Sequence, residues 1–122
     1  QTVTALSDSC FYNCDTLIAI HLPSTITYIG SDAFAYCDSL RGIELSESLV
    51  NLSNRAFYNC YNLESVCIPA SLRNVGNDIF TGCDNLFCLF YSGSLDSWKA
   101  LNFYSIPTGT VLSCTDGLFS LN

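Results

Sequence analysis

His21 is the only histidine in the chain, which also holds eight cysteines. A histidine-assisted nucleophile needs its partner within hydrogen-bond reach of the imidazole. His21 falls on the outward side of a short apolar segment, and the spacing described below sets it beside Glu44 as a solvated pair. A zinc site needs C-x-x-C pairs or clustered histidines, whereas Cys10 and Cys14 lack both that spacing and a second half. Asp15, Asp38 and Asp84 recur in one column with Tyr61 in the gap. Calcium takes about six to eight oxygens from a loop that folds round it, so the column reads as polar residues closing turns. Asn51-Leu52-Ser53 is a glycosylation sequon, with meaning only in a eukaryotic secretory route. No phosphate-cradling glycine loop occurs. These residues predict no catalytic group, no cofactor and no metal.

The cysteines belong to something larger. Phe11, Phe34, Phe57 and Phe80 stand 23 residues apart, as do Cys14, Cys37, Cys60 and Cys83, and Leu17, Leu40, Leu63 and Leu86. A fixed period of about 20–29 residues with an L-x-x-L-x-L-like core is the signature of a leucine-rich-repeat solenoid. Equivalent side chains of stacked repeats point the same way, so the cysteine column reads as buried, free thiols packed as small hydrophobes. Cys67 and Cys88 are two places out of register on adjacent strands, about 8 Å apart from strand rise and spacing, too far for easy bridging.

Apolar residues make up 49% of the 122-residue chain and charged residues 12%, which suits a solenoid in which every repeat supplies its own slice of core. The net charge is −7, with Arg41, Arg55, Arg73 and Lys99 the only basic side chains. Nucleic-acid binding needs clustered Lys and Arg, so it is excluded as a function class, and anionic lipid is disfavoured for the same reason. No apolar run reaches the length of about 18 residues needed to span a membrane. The chain starts at Gln1 and contains no Met, which predicts a piece processed or excised from a longer protein.

One repeat runs from Leu17 to Ser39. Leu17–Leu22 predicts a short strand, with Leu40–Leu45, Leu63–Ile68 and Leu86–Tyr91 as partners in a parallel sheet. Pro23 and Pro69 end two strands. Ile26 and Ile29 recur as Leu49 and Leu52, and as Leu72 and Val75, in mid-core. Gly30 and Gly76 predict tight turns with positive φ. Ser31-Asp32 and Asn77-Asp78 predict N-caps of single helical turns on the convex side. After Tyr91 the pattern changes. Ser94 caps a helix around Leu95–Leu101 that buries Trp98 against Val75 and Phe103, and a fifth strand follows near Val111–Cys114. The register then continues to Leu118 and Leu121. The predicted fold is an α/β solenoid: an arc with a short-stranded parallel sheet on its concave face, turns or single helical turns on its convex face, and a helix-containing, cap-like C-terminal repeat. It forms one domain over 1–122, comprising a partial repeat (1–16), regular repeats (17–91) and the cap-like repeat (92–122).

The repeats resemble the BspA-type leucine-rich-repeat family, whose unit is similar to L-x-x-I-x-I-P-x-S-V-T-x-I-G-x-x-A-F-x-x-C-x-x. Pro23, Ser24, Ile26, Thr27, Ile29, Gly30, Ala33, Phe34 and Cys37 match it. Ser46 and Ser53 depart from its Pro and Gly, which predicts looser turns in that repeat. Residues 1–91 carry the resemblance through repeats, and the segment from Tyr91 to Trp98 with Cys114–Gly117 is similar to terminal modules of such proteins. The resemblance implies a bacterial cell-surface or secreted protein, with some members acting as adhesins, and implies no catalytic residues. Members also occur in parasitic protists.

The functional expectation follows: a non-catalytic binding or adhesion module, a monomer within a longer chain, taking a protein or glycan ligand on host or neighbouring cells. A structural spacer displaying other domains is the alternative, and a hydrolase ranks third. On the predicted concave face, Ala19, His21, Gly42, Glu44 and Ser65 are small or polar. The face then turns apolar at Cys67, Phe87, Cys88, Phe90 and Val111, the candidate partner-binding patch, with Ile18, Arg41, Glu64 and Thr110 among its flanking positions. The competing expectation is that the tail, with Leu118, Phe119 and Leu121, folds over this patch and hides it.

Overall fold

A computed structural model describes residues 2–121; Gln1 and Asn122, the outermost residues of the expected domain, lie outside them. The strands are β1 (Ala5–Leu6), β2 (Tyr28–Ile29), β3 (Gly42–Glu44), β4 (Asn51–Leu52), β5 (Ser65–Ile68), β6 (Asn74–Val75), β7 (Cys88–Tyr91), β8 (Val111–Cys114) and β9 (Gly117–Ser120). Helix α1 spans Leu95–Leu101 between β7 and β8. The chain coils so that each turn of about 23 residues lies on the one before. Every parallel pairing between repeats keeps that offset, as in Val66 with Leu89 and Leu89 with Leu112.

Two sheets form, where the sequence predicts one. The larger has the order β3-β5-β7-β8-β9. The smaller, β1-β2-β4-β6, is built from two-residue strands in the Ile29 column. Leu17–Leu22 is not a strand: a single backbone bond, from Arg41 N to the Ile18 carbonyl, ties its start to the next rung. The expected fifth strand is present as β8, parallel to β7.

The convex side is made of turns, without helix. Ser9, Asp32, Arg55 and Asp78 have φ of 55–57°, and Asn13, Tyr36 and Asn59 have φ of 55–62°. Asp32 and Asp78 therefore adopt left-handed backbone, whereas an N-cap residue is extended. The left-handed residues let alternate amides point along the solenoid axis. Phe11, Phe34 and Phe57 donate from N to the carbonyls of Ala33, Ala56 and Ile79, and Asn13, Tyr36 and Asn59 to those of Ala35, Tyr58 and Thr81. Polar side chains add further rungs: Ser39 Oγ, Asn62 Nδ2 and Asn85 Nδ2 donate to the carbonyls of Asp15, Asp38 and Tyr61. Asp15 and Asp38 of the Asp column thus act through their carbonyls, between rungs.

Gly30 and Gly76 have no positive φ. Their lack of a Cβ serves close approach between rungs. A Cβ on Gly30 would lie 2.5 Å from Asp8 N, and one on Gly76 would lie 2.6 Å from Asn54 N. Both contacts are backbone and cannot swing aside. Replacing Gly76 with Ala is expected to lower stability by about 1–3 kcal/mol, the usual effect of overpacking. Urea unfolding measures it, and an unchanged midpoint would show that the rungs can separate freely here. Ser46 does not loosen its turn either. Its hydroxyl is buried, donates to the Ser24 carbonyl at 2.8 Å and accepts from Ser48 N.

The core is columnar. Phe11, Phe34, Phe57, Phe80 and Phe103 stack at centroid separations of 5.2, 5.2, 5.8 and 5.8 Å. Trp98, buried as expected, stacks on Phe103 at 4.6 Å and meets Tyr91 edge-on. Ser94 caps α1 by accepting from Ser97 N. Cys37, Cys60 and Cys83 are fully buried, while Cys14, on the first rung, is partly exposed for want of a preceding neighbour. All eight cysteines are free. The buried thiols also donate: Cys37, Cys60 and Cys83 Sγ lie 3.2, 3.0 and 3.0 Å from the carbonyls of Phe11, Phe34 and Phe57. Those carbonyls also accept the amides of Cys14, Cys37 and Cys60, so each thiol fills a second lone pair.

Burial pushes the Cys37 thiol up from 9.0 to about 12, and the neighbouring Cys83 thiol, followed by burial, pushes Cys60 up as well. The thiolate is the reactive form, so both resist alkylation in the folded chain. Under denaturing, non-reducing conditions a thiol reagent is expected to count close to eight free thiols, whereas Cys37, Cys60 and Cys83 stay unlabelled natively. A count of zero would overturn the pairing-free column. The sign of the pH effect follows. Unfolded Cys37 ionises near 9 and folded Cys37 near 12, so its contribution is intact below pH 9 and is lost as pH rises toward 12.

Candidate functional site: the concave sheet face

The strands of the larger sheet alternate. Ile43, Val66, Leu89 and Leu112 point inward and are buried. Gly42, Glu44, Ser65, Cys67, Cys88, Phe90, Val111 and Ser113 point outward between them. Pairing sets Cys67 beside Phe90, and Cys88 beside Val111. Phe87 is 58% exposed, Phe90 47% and Val111 37%, and Cys67 and Cys88 are half-buried. Cys67, Cys88, Phe90 and Val111 thus lie on neighbouring strands of one face, and Phe87 precedes β7 at its edge. Thr110 does not flank it: the side chain is buried and Oγ1 donates to the Leu86 carbonyl at 3.0 Å.

The tail leaves the patch open. The chain reverses at Thr115-Asp116, and β9 runs antiparallel to β8 at the sheet edge. This ends the 23-residue register, so Leu118 does not enter the core column that Leu95 occupies. Leu118 pairs with Ser113 and is 74% exposed on the concave side, while Phe119 pairs with Leu112 and packs against the core. A short polar turn with Gly between two apolar runs is a hairpin signal, and Thr115-Asp116-Gly117 carried it, with Gly117 opposite Cys114 at φ 146°. The hairpin tip is pinned to the start of α1, where Asp116 Oδ1 accepts from Leu95 N and Thr115 N donates to the Gly93 carbonyl.

A cavity of about 710 Å³ crosses this face at the C-terminal ends of the rungs, from His21 and Ser24 past Glu44, Glu47, Cys67 and Pro69 to Phe90, Ser92 and Ser113. Sequence reasoning did not place Glu47 there. The two ion pairs among the described residues lie elsewhere. Arg41 meets Glu64 at 3.1 Å, as the period predicts, an exposed pair worth roughly 0–1 kcal/mol. Arg55 grips Asp32 with two 3.0 Å bonds. His21 and Glu44 do not bridge. Asn51 of the sequon accepts from Asn74 Nδ2 at 2.6 Å within the smaller sheet. Among the described residues no cluster of His, Cys, Asp and Glu could hold a metal ion, and no helix is long and apolar enough to cross a membrane.

Short parallel strands repeating at 23 residues, convex turns and a columnar aromatic core define a leucine-rich-repeat solenoid. The model of the BspA type leucine rich repeat region matches residues 4–116 in six copies, and the chain belongs to that family. It is similar to a solved leucine-rich repeat protein from Bacteroides ovatus ATCC 8483, with TM-score 0.76 and 28% identity over 91% of this chain and 28% of that one. A leucine-rich repeat protein from T. pallidum gives 0.70 and 28% over 92% and 45%. A leucine-rich cell surface protein from Faecalibacterium prausnitzii A2-165 gives 0.65 and 26% over 87% and 34%. The chain thus spans less than half the length of each solved relative. No curated protein matches its sequence.

Proposed function

We propose that the chain is a non-catalytic protein-binding or adhesion module of a bacterial cell-surface or secreted protein, and that it binds through the concave patch of Cys67, Phe87, Cys88, Phe90 and Val111. The observation that carries this is the exposure of Phe87, Phe90, Val111 and Leu118 on neighbouring rungs. A soluble surface tolerates single exposed apolar residues, but several gathered at one sheet face are characteristic of an interaction site. Solenoid curvature also offers an extended concave surface to a partner. The cell-surface relative from F. prausnitzii supports the location.

A spacer displaying other domains is the second reading, supported by the small share of each relative that the chain spans. A spacer has no use for open rings. The two are separated by retention of the purified chain on a panel of matrix proteins and intact cells, with Phe87 and Phe90 present or both replaced by Ser. Retention that depends on the rings supports the binding module, and retention indifferent to them leaves the spacer.

A further inference from the structure

We infer that the concave groove takes an extended peptide segment of a partner protein, one that carries basic side chains and, a few residues on, an aromatic or large aliphatic one. This rests on the concave-face reading above and gives it a ligand class. The groove is lined by five successive rungs, from His21 to Ser113. At about 4.8 Å per rung this is roughly 19 Å, the length of about six residues of extended chain.

Two chemistries divide it. At one end lie Glu44 and Glu47, both exposed, on the same rung. Neither belongs to either ion pair of the described residues, and no Lys or Arg lines the groove. His21 is the one lining group there that can become cationic. On the next two rungs lie half-buried Cys67 and the Phe90 ring, 47% exposed, with Pro69 and Tyr91 buried beneath them and Ser92 and Ser113 beyond. Glu44 and Phe90 are two rungs apart, about 10 Å, or three residues of extended chain. A basic residue and an apolar residue at that spacing satisfy both chemistries at once. The chain's charge of −7 favours encounter with a cationic segment and repels polyanions.

The test uses fluorescence anisotropy with two labelled octapeptides, one with two lysines followed three residues on by tryptophan, the other its twin with glutamates for lysines. At low ionic strength the lysine peptide is expected to bind the whole chain at least about tenfold tighter than its twin, the sum of two modest ion pairs. The double variant E44Q/E47Q, with an unchanged melt, is expected to erase that ratio, and F90S to weaken both peptides. Equal binding of the two peptides, with F90S still weakening both, would overturn the basic-peptide assignment while the concave site stands. Absence of binding by either peptide would overturn the assignment too. Binding indifferent to F90S would overturn both the assignment and the concave site.

Discussion

Replacing Phe57 with Ala is expected to destabilise the chain by about 3–5 kcal/mol, the usual result for a fully buried phenylalanine. Phe57 is completely buried at the middle of the five-ring stack, with Phe34 at 5.2 Å on one side and Phe80 at 5.8 Å on the other. Removing it ends two stacked pairs at once, each worth about 0.5–1.5 kcal/mol beyond its buried area. The void lies between rungs held by ladders on both sides, so collapse is restricted. Domains are stable by only about 5–15 kcal/mol in total, so a large part of the margin goes. The melting temperature should fall by roughly 10–20 °C at about 3–5 °C per kcal/mol for this size. In a solenoid each rung contacts only its neighbours, so a central break also divides the array into halves. Thermal melts followed by circular dichroism measure the effect, with Tyr12→Ala as control. Tyr12 is exposed and meets Tyr36 only edge-on, so its loss should stay near 1 kcal/mol or below. A shift of that small size for Phe57 would refute the account of the core as one continuous stack.

The columns were legible because a repeat prints the same physical demand several times. Phe, Cys and Leu at a 23-residue spacing gave the register, and the pairing of Val66 with Leu89 and Leu89 with Leu112 follows it. The helix was legible from Ser94 and the apolar spacing of Leu95, Trp98 and Leu101, because cap and amphipathic face agree locally. Three features were not. Two-residue strands such as Tyr28–Ile29 carry too few residues for an alternation to appear. The left-handed positions at Tyr36 and Arg55 are set by the ladder between rungs, a non-local demand on residues with no strong preference for that backbone. Gly30 and Gly76 look like turn glycines in sequence, since a close approach to Asp8 or Asn54 becomes visible only once the rungs stack.

The patch was legible by arithmetic, since strand alternation assigns Cys67, Cys88, Phe90 and Val111 to one face. Whether the tail hid it depended on the direction of the chain after Cys114. The repeat register argued for continuation, and the polar turn Thr115-Asp116 followed by Gly117 argued for reversal. Reversal won because the hairpin pairs Val111–Cys114 with Gly117–Ser120 and closes an otherwise open edge strand. It also brought Leu118 onto the concave side, where no periodic argument had put it.

The second large effect is expected from replacing both Phe87 and Phe90 with Ser. Interface aromatics that seat in a partner's pocket are worth about 2 kcal/mol or more each on truncation, so their joint loss should weaken binding on the order of a thousandfold. Stability should barely move. Both rings are about half exposed, the strand that carries Phe90 is anchored by buried Leu89 and Tyr91, and surface changes rarely exceed about 0.5 kcal/mol, with about 1 kcal/mol more for strand propensity at Phe90. The most direct measurement therefore pairs the two readouts on one sample: affinity of the wild-type and F87S/F90S chains for the target surface, and their melting temperatures. The concave-site account predicts binding lost and melting lowered by no more than a few degrees. Binding retained by the variant, or a fall in melting as deep as that of Phe57→Ala, would contradict it.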